Sequence, residues 1–150
     1  YIDTFPQKLH HPKEEAYLFR RVKMRTREAD AAILKLEEQH RAGVEHVKAL
    51  EMSLGKYQAG APGGREEFMA AAERFADEIA MHMALEENVL IPIAKRHLLP
   101  EDWSEIARAF GENGDPRFGA EPDHEYRALF SRIVNLAPPP IGVGPAPTAA

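Results

Sequence analysis

The chain carries two copies of one pattern of polar and apolar residues, His-x-x-x-Glu-Glu-x-x-Leu, which begin 72 residues apart. One copy lies within "HHPKEEAYLF" and the other within "HMALEENVLI". The equivalent positions are His10 and His82, Glu14 and Glu86, Glu15 and Glu87, and Leu18 and Leu90. Because residues four positions apart share a face on a helix, the repeat predicts two helices that each present an imidazole and a carboxylate on one side.

Apolar residues along the rest of the chain recur every three or four positions, which is typical of helices and not of strands. This spacing predicts helices at about 1–25, 27–56, 65–97, 101–110 and 122–136, with Pro122 opening the last one. Two glycine-containing segments are predicted loops, "QAGAPGGR" and "GENGDPRFGAEP". We expect an all-α, up-and-down four-helix bundle with short extra C-terminal helices in one domain at residues 1–136, and a disordered Pro/Gly/Ala-rich tail at 137–150.

Polar side chains interrupt the apolar stripes of these predicted helices. His82 and Glu86 lie within a stripe of the third helix, and His40 lies within one of the second. A polar or charged group that faces a core is costly unless it is paired or binds a metal. Counting residues from the turns at a rise of about 1.5 Å per residue places these three groups at the height of His10 and Glu14. We therefore expect five side chains to meet in one layer of the bundle.

The composition excludes several classes of function. The net charge is −5, so we expect no nucleic-acid partner and no anionic membrane surface. No apolar run approaches the roughly 20 residues of a membrane span. Cysteine is absent, which removes disulfides and thiolate ligands and is consistent with a cytoplasmic location. Any metal site must therefore use imidazole and oxygen ligands.

Imidazole and carboxylate groups together suit iron, manganese or zinc. Two carboxylates, one from each copy of the repeat, are suited to bridge a pair of divalent ions. The residues predicted as metal ligands are His10, Glu14, His40, His82 and Glu86. A ligand histidine passes its second ring N–H to an acceptor. The polar candidates for this role are Tyr17, Glu37, Glu15 and Glu87.

Pro12 leaves the register of the first pair open. Proline lacks a backbone donor and disfavours helical geometry at the residue before it, so the helix can restart with Pro12 in its first turn. In that case His11 and Glu15 would replace His10 and Glu14 as ligands. The Glu-Glu-x-x-Leu register favours His10 and Glu14.

The chain resembles the hemerythrin-like (HHE cation-binding) family. The matching parts are "HHPKEEAYLF", the "EQH" that ends at His40, and "HMALEENVLIPI", and the resemblance covers about residues 1–136. It implies a four-helix bundle around a non-haem di-iron centre of two iron ions, with zinc or manganese as possible substitutes. The implied ligand is O₂ or a related small molecule such as nitric oxide or peroxide. The implied metal ligands are His10, Glu14, His40, His82 and Glu86.

The sequence departs from the family pattern at its start. The resemblance implies an earlier helix that supplies a further histidine, and we expect that residues before Tyr1 carried it. The alternatives are a helix supplied by another copy in a homodimer, or an incomplete site. His124 is a candidate replacement ligand. His40 stands alone in line on its helix, where Leu36 and Val44 occupy the neighbouring turns. Since the resemblance implies further histidines on this helix in oxygen carriers, the single His40 favours sensing, redox or iron-handling chemistry over reversible oxygen carriage.

Two other functions fit parts of the sequence. A ferritin-like carboxylate enzyme, acting as a ferroxidase or peroxidase, uses Glu-x-x-His on two helices. Glu37 with His40 and Glu121 with His124 match that spacing, but this interpretation leaves the histidines of the repeat without a role. A metal-free helical interaction module is the third hypothesis. The sequence favours metal and small-molecule binding over a dedicated enzyme and leaves turnover open.

Overall fold

The computed structural model describes residues 2–111, 124–139 and 142–145. This part of the chain forms five helices and contains no strand: α1 (residues 3–25), α2 (Asp30–Gln58), α3 (residues 64–97), α4 (Pro100–Gly111) and α5 (His124–Leu136). The predicted all-α fold is confirmed, and each helix lies close to its predicted span. The predicted start of the last helix at Pro122 lies outside the described residues. Within those residues, no helix combines the length and apolar character that crossing a membrane requires.

The helices α1, α2 and α3 form an up-and-down bundle joined by two short loops, residues 26–29 and 59–63. Gly60 and Gly63 in the second loop have φ angles of 69° and 72°, a left-handed conformation that glycine adopts without steric cost. Across this loop, Lys56 at the end of α2 pairs with Glu67 at the start of α3 at 2.6 Å. Short connections of this kind make successive helices antiparallel neighbours.

The helices α1 and α3 run in the same direction, and their relative register follows the 72-residue repeat. The ring of His11 lies 5.4 Å from the ring of His82, centroid to centroid. Further along, the segment Arg20–Arg25 packs against Ile91–His97. The two copies of the repeat therefore face each other at the same height in the bundle.

One apolar core lies beside this polar layer. Its buried members are Leu18, Phe19, Val22, Ala29, Ile33, Leu36, Leu90, Ile93, Ala94, Leu98 and Ile106. The equivalent leucines of the repeat, Leu18 and Leu90, both belong to it. Since burying a leucine side chain contributes about 1.5–3 kcal/mol, these two residues anchor the segments that carry the histidines and glutamates.

Both copies of the repeat contain wide helical turns with i→i+5 hydrogen bonds. Such turns cover Asp3–His10, Glu14–Phe19 and Glu86–Leu90. Pro12 and Pro92 lie two residues beyond the first and the third of them, and a proline clashes with the preceding turn and offers no N–H. The helix α1 continues through Pro12 without a break. Wide turns are rare in proteins, and those that occur are often found at functional sites. Here Glu14 and Glu86 each begin one.

The helix α4 lies along α1 and is held there by charged groups. Buried Asp102 accepts hydrogen bonds from Arg25, from Nε at 2.8 Å and from Nη2 at 3.1 Å. The same carboxylate accepts the backbone N–H of Leu99 at 3.0 Å, which satisfies a donor at the start of α4. At the other end, Lys13 Nζ donates to the carbonyl of Ala109 at 2.6 Å. Both ends of α4 are therefore held to α1 by polar contacts.

The helix α5 carries exposed apolar side chains. These are Leu129, Phe130, Ile133 and Leu136. Beyond it, the N–H groups of Val143 and Gly144 donate to the carbonyls of Val134 and Ala137 at 2.9 and 2.8 Å. This part of the predicted tail thus folds back on the end of α5, and residues 140–141 and 146–150 of that tail lie outside the described residues.

Candidate metal centre

Four buried side chains from three helices converge inside the bundle. Ligand atoms of His11, Glu14, His40 and His82 all lie within 4.8 Å of one another. The helix α1 contributes two of these residues, and α2 and α3 contribute one each. Three imidazoles and a carboxylate in one place are a donor set that suits a transition metal. We call these four residues the cluster.

Glu14 lies at the centre of this arrangement. Its Oε1 is 3.1 Å from His10 Nε2, and its Oε2 is 3.4 Å from His40 Nε2. A ligand atom of Glu14 also lies within 4.8 Å of one on His82 of α3. Glu14 on α1 therefore meets polar groups from both other helices of the bundle.

The second copy of the repeat is arranged like the first. His82 Nε2 lies 3.3 Å from Glu86 Oε1, just as His10 Nε2 lies 3.1 Å from Glu14 Oε1. Both pairs are four residues apart on a helix, the spacing that brings side chains together. Each helix thus presents an imidazole–carboxylate pair to the same layer.

The imidazole rings of the cluster lie against one another. The rings of His11 and His40 are stacked, with centroids 4.1 Å apart and planes 4° apart. The ring of His82 lies 5.0 Å from that of His40. Rings at these distances can direct nitrogen lone pairs at a shared point, which separate surface histidines cannot do.

Two phenylalanines form apolar walls beside the polar groups. Phe19 is 1% exposed, and its ring stacks on His40 at a centroid distance of 5.6 Å. The ring of Phe110, from α4, meets His10 edge to face at 5.3 Å. Apolar walls exclude water and lower the local dielectric constant, which strengthens the electrostatic interactions inside.

Several buried polar atoms of the site make no hydrogen bond within the described part of the chain. They are His11 Nδ1, Glu14 Oε2, His40 Nε2 and Glu86 Oε1. An unsatisfied buried polar group costs about 1–3 kcal/mol, so native structures leave few of them. A metal ion takes its ligands from imidazole nitrogens and carboxylate oxygens and would satisfy these atoms together. The residues therefore fit a metal.

Two histidines have one ring nitrogen fixed by an acceptor. His40 Nδ1 lies 2.9 Å from Glu15 Oε1, and His82 Nδ1 lies 3.2 Å from Gln39 Oε1. An acceptor at Nδ1 places the proton there and leaves the lone pair on Nε2. Since both Nε2 atoms face carboxylates of the site, Glu15 and Gln39 orient these rings for metal binding.

The two central carboxyl groups have pKa values shifted in opposite directions. Burial acts to raise the pKa of Glu14, but the adjacent imidazoles of His10 and His40 outweigh it and lower that pKa below its usual range. Burial raises the pKa of Glu86, the adjacent imidazole of His82 opposes this rise, and the negative charge of Glu14 raises the pKa further. The negative charge of Glu14 therefore opposes the ionisation of Glu86.

The pKa values of the stacked imidazoles, His11 and His40, are also shifted in opposite directions. Burial and the neighbouring His40 together lower the pKa of His11 to about 3. Burial acts to lower the pKa of His40 as well, but the nearby carboxylates of Glu14 and Glu15 outweigh it and raise that pKa. His11 is therefore neutral at physiological pH, which is the form that binds metals.

Three of the five predicted ligands, Glu14, His40 and His82, lie in the cluster together with His11, and His10 and Glu86 lie beside it, 3.1 Å from Glu14 and 3.3 Å from His82. The predicted ligands are His10, Glu14, His40, His82 and Glu86. His11 was the alternative to His10, and it lies in the cluster with Glu14. Glu15, its predicted partner in that alternative, instead bonds His40. The side chain of His124 lies outside the described residues. The roles of all these residues as metal ligands stay predictions.

One orienting residue was missed by the sequence analysis. Among the predicted acceptors, Glu15 does bond a histidine, whereas Glu87 is exposed, Tyr17 packs against the apolar core and Glu37 pairs with a lysine. The acceptor for His82 is Gln39. Its only sequence signal is its place beside the histidine in "EQH", because a helical glutamine is usually a solvated surface residue.

Comparison with known families identifies most of this region. A family model described as "Hemerythrin HHE cation binding domain" matches residues 1–94. The matched range contains every residue of the cluster. Searches among curated proteins and among solved structures find no match.

Proposed function

The chain belongs to the hemerythrin HHE cation-binding family, and from this premise we propose that its His/Glu site holds two iron ions. The protein then binds, senses or handles O₂ or a related small molecule, nitric oxide or peroxide. The observation that carries the proposal is the group of buried atoms without hydrogen bonds at His11, Glu14, His40 and Glu86. These atoms are of the types that iron takes from proteins.

The proposed ligand set uses both copies of the repeat. Glu14 and Glu86 would supply the carboxylate ligands, because each lies beside a histidine of the cluster, Glu14 beside His40 and Glu86 beside His82. The imidazole ligands would be His10, His11, His40 and His82. Zinc and manganese suit the same donors, so the metal that the site holds must be identified by metal analysis.

When bound, reduced iron supplies open coordination positions and electrons for a small oxidant. The residues of the chain prepare the site for this in three ways. Glu15 and Gln39 hold two rings with Nε2 directed inward. Neutral His11 offers a lone pair without competition from a proton at physiological pH. Phe19 and Phe110 shield the polar groups from water.

Metal analysis of protein reconstituted with Fe²⁺ under anaerobic conditions tests the proposal. We expect two iron ions per chain and, after oxidation, an oxo-to-iron charge-transfer band in the near ultraviolet. Glu86→Gln should lower the iron content because it removes the charge of a carboxylate ligand. Glu87→Gln is the matched control, since Glu87 is the exposed neighbour, and it should retain the iron. Wild-type protein that binds no iron would refute the proposal.

The structure does not favour the ferritin-like alternative. That class requires Glu37 to join His40 at the metal, but Glu37 Oε1 accepts a hydrogen bond from Lys23 Nζ at 2.5 Å and is not part of the cluster. The second motif begins at Glu121, which lies outside the described residues. Steady-state assays with Fe²⁺ and with peroxide decide whether the proposed iron site also turns over.

A further inference from the structure

A groove of about 430 Å³ lies between α1, α2 and α3 and reaches the cluster. Its lining outside the cluster includes Gln7, Ala42, His46, Phe75, Glu78 and Ile79, and we call the whole groove the access groove. Three histidines of the cluster form its inner end: His11, His40 and His82. The groove therefore connects solvent with the proposed metal ligands.

Two groups that bind cations face each other in the outer part of the access groove. His46 Nδ1 on α2 lies 2.5 Å from Glu78 Oε2 on α3. The side chains are 42% and 37% exposed, so ions in solution reach both. A pair this exposed contributes little to the stability of a fold. The position of this pair in the groove therefore matters more than its contribution to the stability of the fold.

On α3, three ligand-type residues follow one another from the groove to the centre of the site. Glu78, His82 and Glu86 are spaced by four residues, which places them on one face at steps of roughly 6 Å. Glu78 and His82 both line the groove, and His82 pairs with Glu86. A cation that leaves the outer pair thus has a donor within one helical turn.

The inner end of the groove presents unsatisfied nitrogen atoms. His11 and His40 are only 8% and 5% exposed, and both line the groove. His11 Nδ1 and His40 Nε2 have no hydrogen-bond partner within the described residues. These buried atoms suit a ligand that accepts lone pairs, which is the property of a cation.

We propose that divalent cations reach the cluster through the access groove, and that His46 and Glu78 bind them transiently at its outer end. This inference rests on the proposed function, because it presupposes that the cluster holds divalent cations. One imidazole and one carboxylate suit iron, manganese or zinc but are fewer donors than the cluster offers, so the ion moves inward. Lys35 also lines the groove, and its pairing with Glu38 at 3.5 Å moderates its repulsion of cations.

The rate of metal loading tests this inference. The full chain, stripped of metal with a chelator, is mixed with Co²⁺ in a stopped-flow instrument, and the visible absorption of bound Co²⁺ reports occupancy. Glu78→Gln keeps the size of the side chain and removes its charge. We expect it to slow loading on the order of threefold to tenfold, because a carboxylate at the mouth of a cleft raises the local cation concentration. The final occupancy and the stoichiometry should stay those of the wild type.

Glu45→Gln is the matched control. Glu45 lies on α2, pairs with Lys48 at 2.8 Å and does not line the groove. Its substitution by glutamine changes the net charge as much as Glu78→Gln does. It should load at the wild-type rate. A second variant, Ala42→Trp, narrows the groove without changing the charge and should also slow loading, whereas Ala80→Trp on an exposed part of α3 should not. Circular dichroism confirms that both tryptophan variants are folded.

Each outcome decides a separate part of the inference. Loading of Glu78→Gln at the wild-type rate would overturn the role of the outer pair, and loading of folded Ala42→Trp at that rate would overturn the route. A lower final occupancy in Glu78→Gln would also overturn the inference, because Glu78 would then be a permanent ligand. Wild-type protein that takes up neither Co²⁺ nor Fe²⁺ would instead refute the proposed function itself.

Discussion

The imidazole rings of His11 and His40 lie face to face, with centroids 4.1 Å apart and planes 4° apart. Two imidazolium ions at this distance in a buried site would repel each other strongly. Accordingly, burial and the neighbouring His40 lower the pKa of His11 to about 3. The neutral ring keeps a nitrogen lone pair inside the cluster, which makes His11 as strong a candidate ligand as His10.

The two glutamates that follow Glu14 and Glu86 are expected to differ in their effect on metal binding. Glu15 holds His40 through its Nδ1 at 2.9 Å, whereas the equivalent Glu87 is exposed. We expect Glu15→Gln to weaken Co²⁺ or Fe²⁺ binding by about tenfold, as loss of an orienting carboxylate does at metal sites. Glu87→Gln should bind as the wild type does. Isothermal titration measures both, and equal affinities of the two variants would contradict the assignment.

Gln39 is expected to matter for metal affinity although it carries no charge. Its Oε1 lies 3.2 Å from His82 Nδ1 and fixes the ring with Nε2 inward. We expect Gln39→Leu to weaken metal binding by about 10- to 100-fold while the helix content stays the same. Gln58→Leu, the same change at the exposed end of α2, is the control. Retention of wild-type affinity in Gln39→Leu would show that His82 needs no acceptor.

Glu86→Ala separates the metal-binding hypothesis from the metal-free interaction module. Burial raises the pKa of the Glu86 carboxyl group, so without metal its removal should leave the thermal midpoint unchanged or raise it. With metal at about 100 times its dissociation constant, the wild type should gain about 2.7 kcal/mol, and the variant should gain much less. Thermal unfolding with added metal and with a chelator measures the difference. A wild-type midpoint that does not respond to metal would support the module.

The fold is expected to lose stability in acid through Asp102. The hydrogen bond from Arg25, followed by that from the Leu99 N–H, lowers the pKa of Asp102 below its ordinary value of 3.8. A carboxyl group with a lowered pKa stabilises the fold above its unfolded pKa, and this contribution disappears as the pH falls through the folded pKa. Asp102→Asn should therefore be less stable than the wild type at about pH 7, and the difference should shrink below about pH 4.

Urea unfolding at both pH values measures this difference in the free energy of unfolding. Asp77→Asn, which changes an exposed aspartate on α3, is the control and should show little difference at either pH. A deficit of Asp102→Asn that is as large in acid as at neutral pH would mean that packing, and not the carboxylate charge, holds α4 in place.

The layer of polar groups was predictable because helical geometry is regular. The spacing of His82 and Glu86, and the count of residues from each turn to His40, follow from a constant rise per residue. Inward-facing polar residues in an apolar stripe carry a strong signal, because their burial is costly without a partner. The bundle and the meeting of the repeats could therefore be predicted before any coordinates existed.

The position of His11 could not be predicted in the same way. The wide turns on both sides of residues 11–13 change the angular spacing of side chains, so that His10 and His11 both approach Glu14. A count based on 3.6 residues per turn instead forces a choice between them. Gln39 and the pair of His46 and Glu78 depend on how two helices cross, which sequence spacing does not determine.

Diffraction data collected at the iron absorption edge from crystals of the iron-reconstituted protein test the central claim most directly. We predict two anomalous peaks between the carboxylates of Glu14 and Glu86, with ring nitrogens of His11, His40 and His82 among the ligands. Anomalous density elsewhere in the chain, or none in protein loaded with iron, would contradict the account.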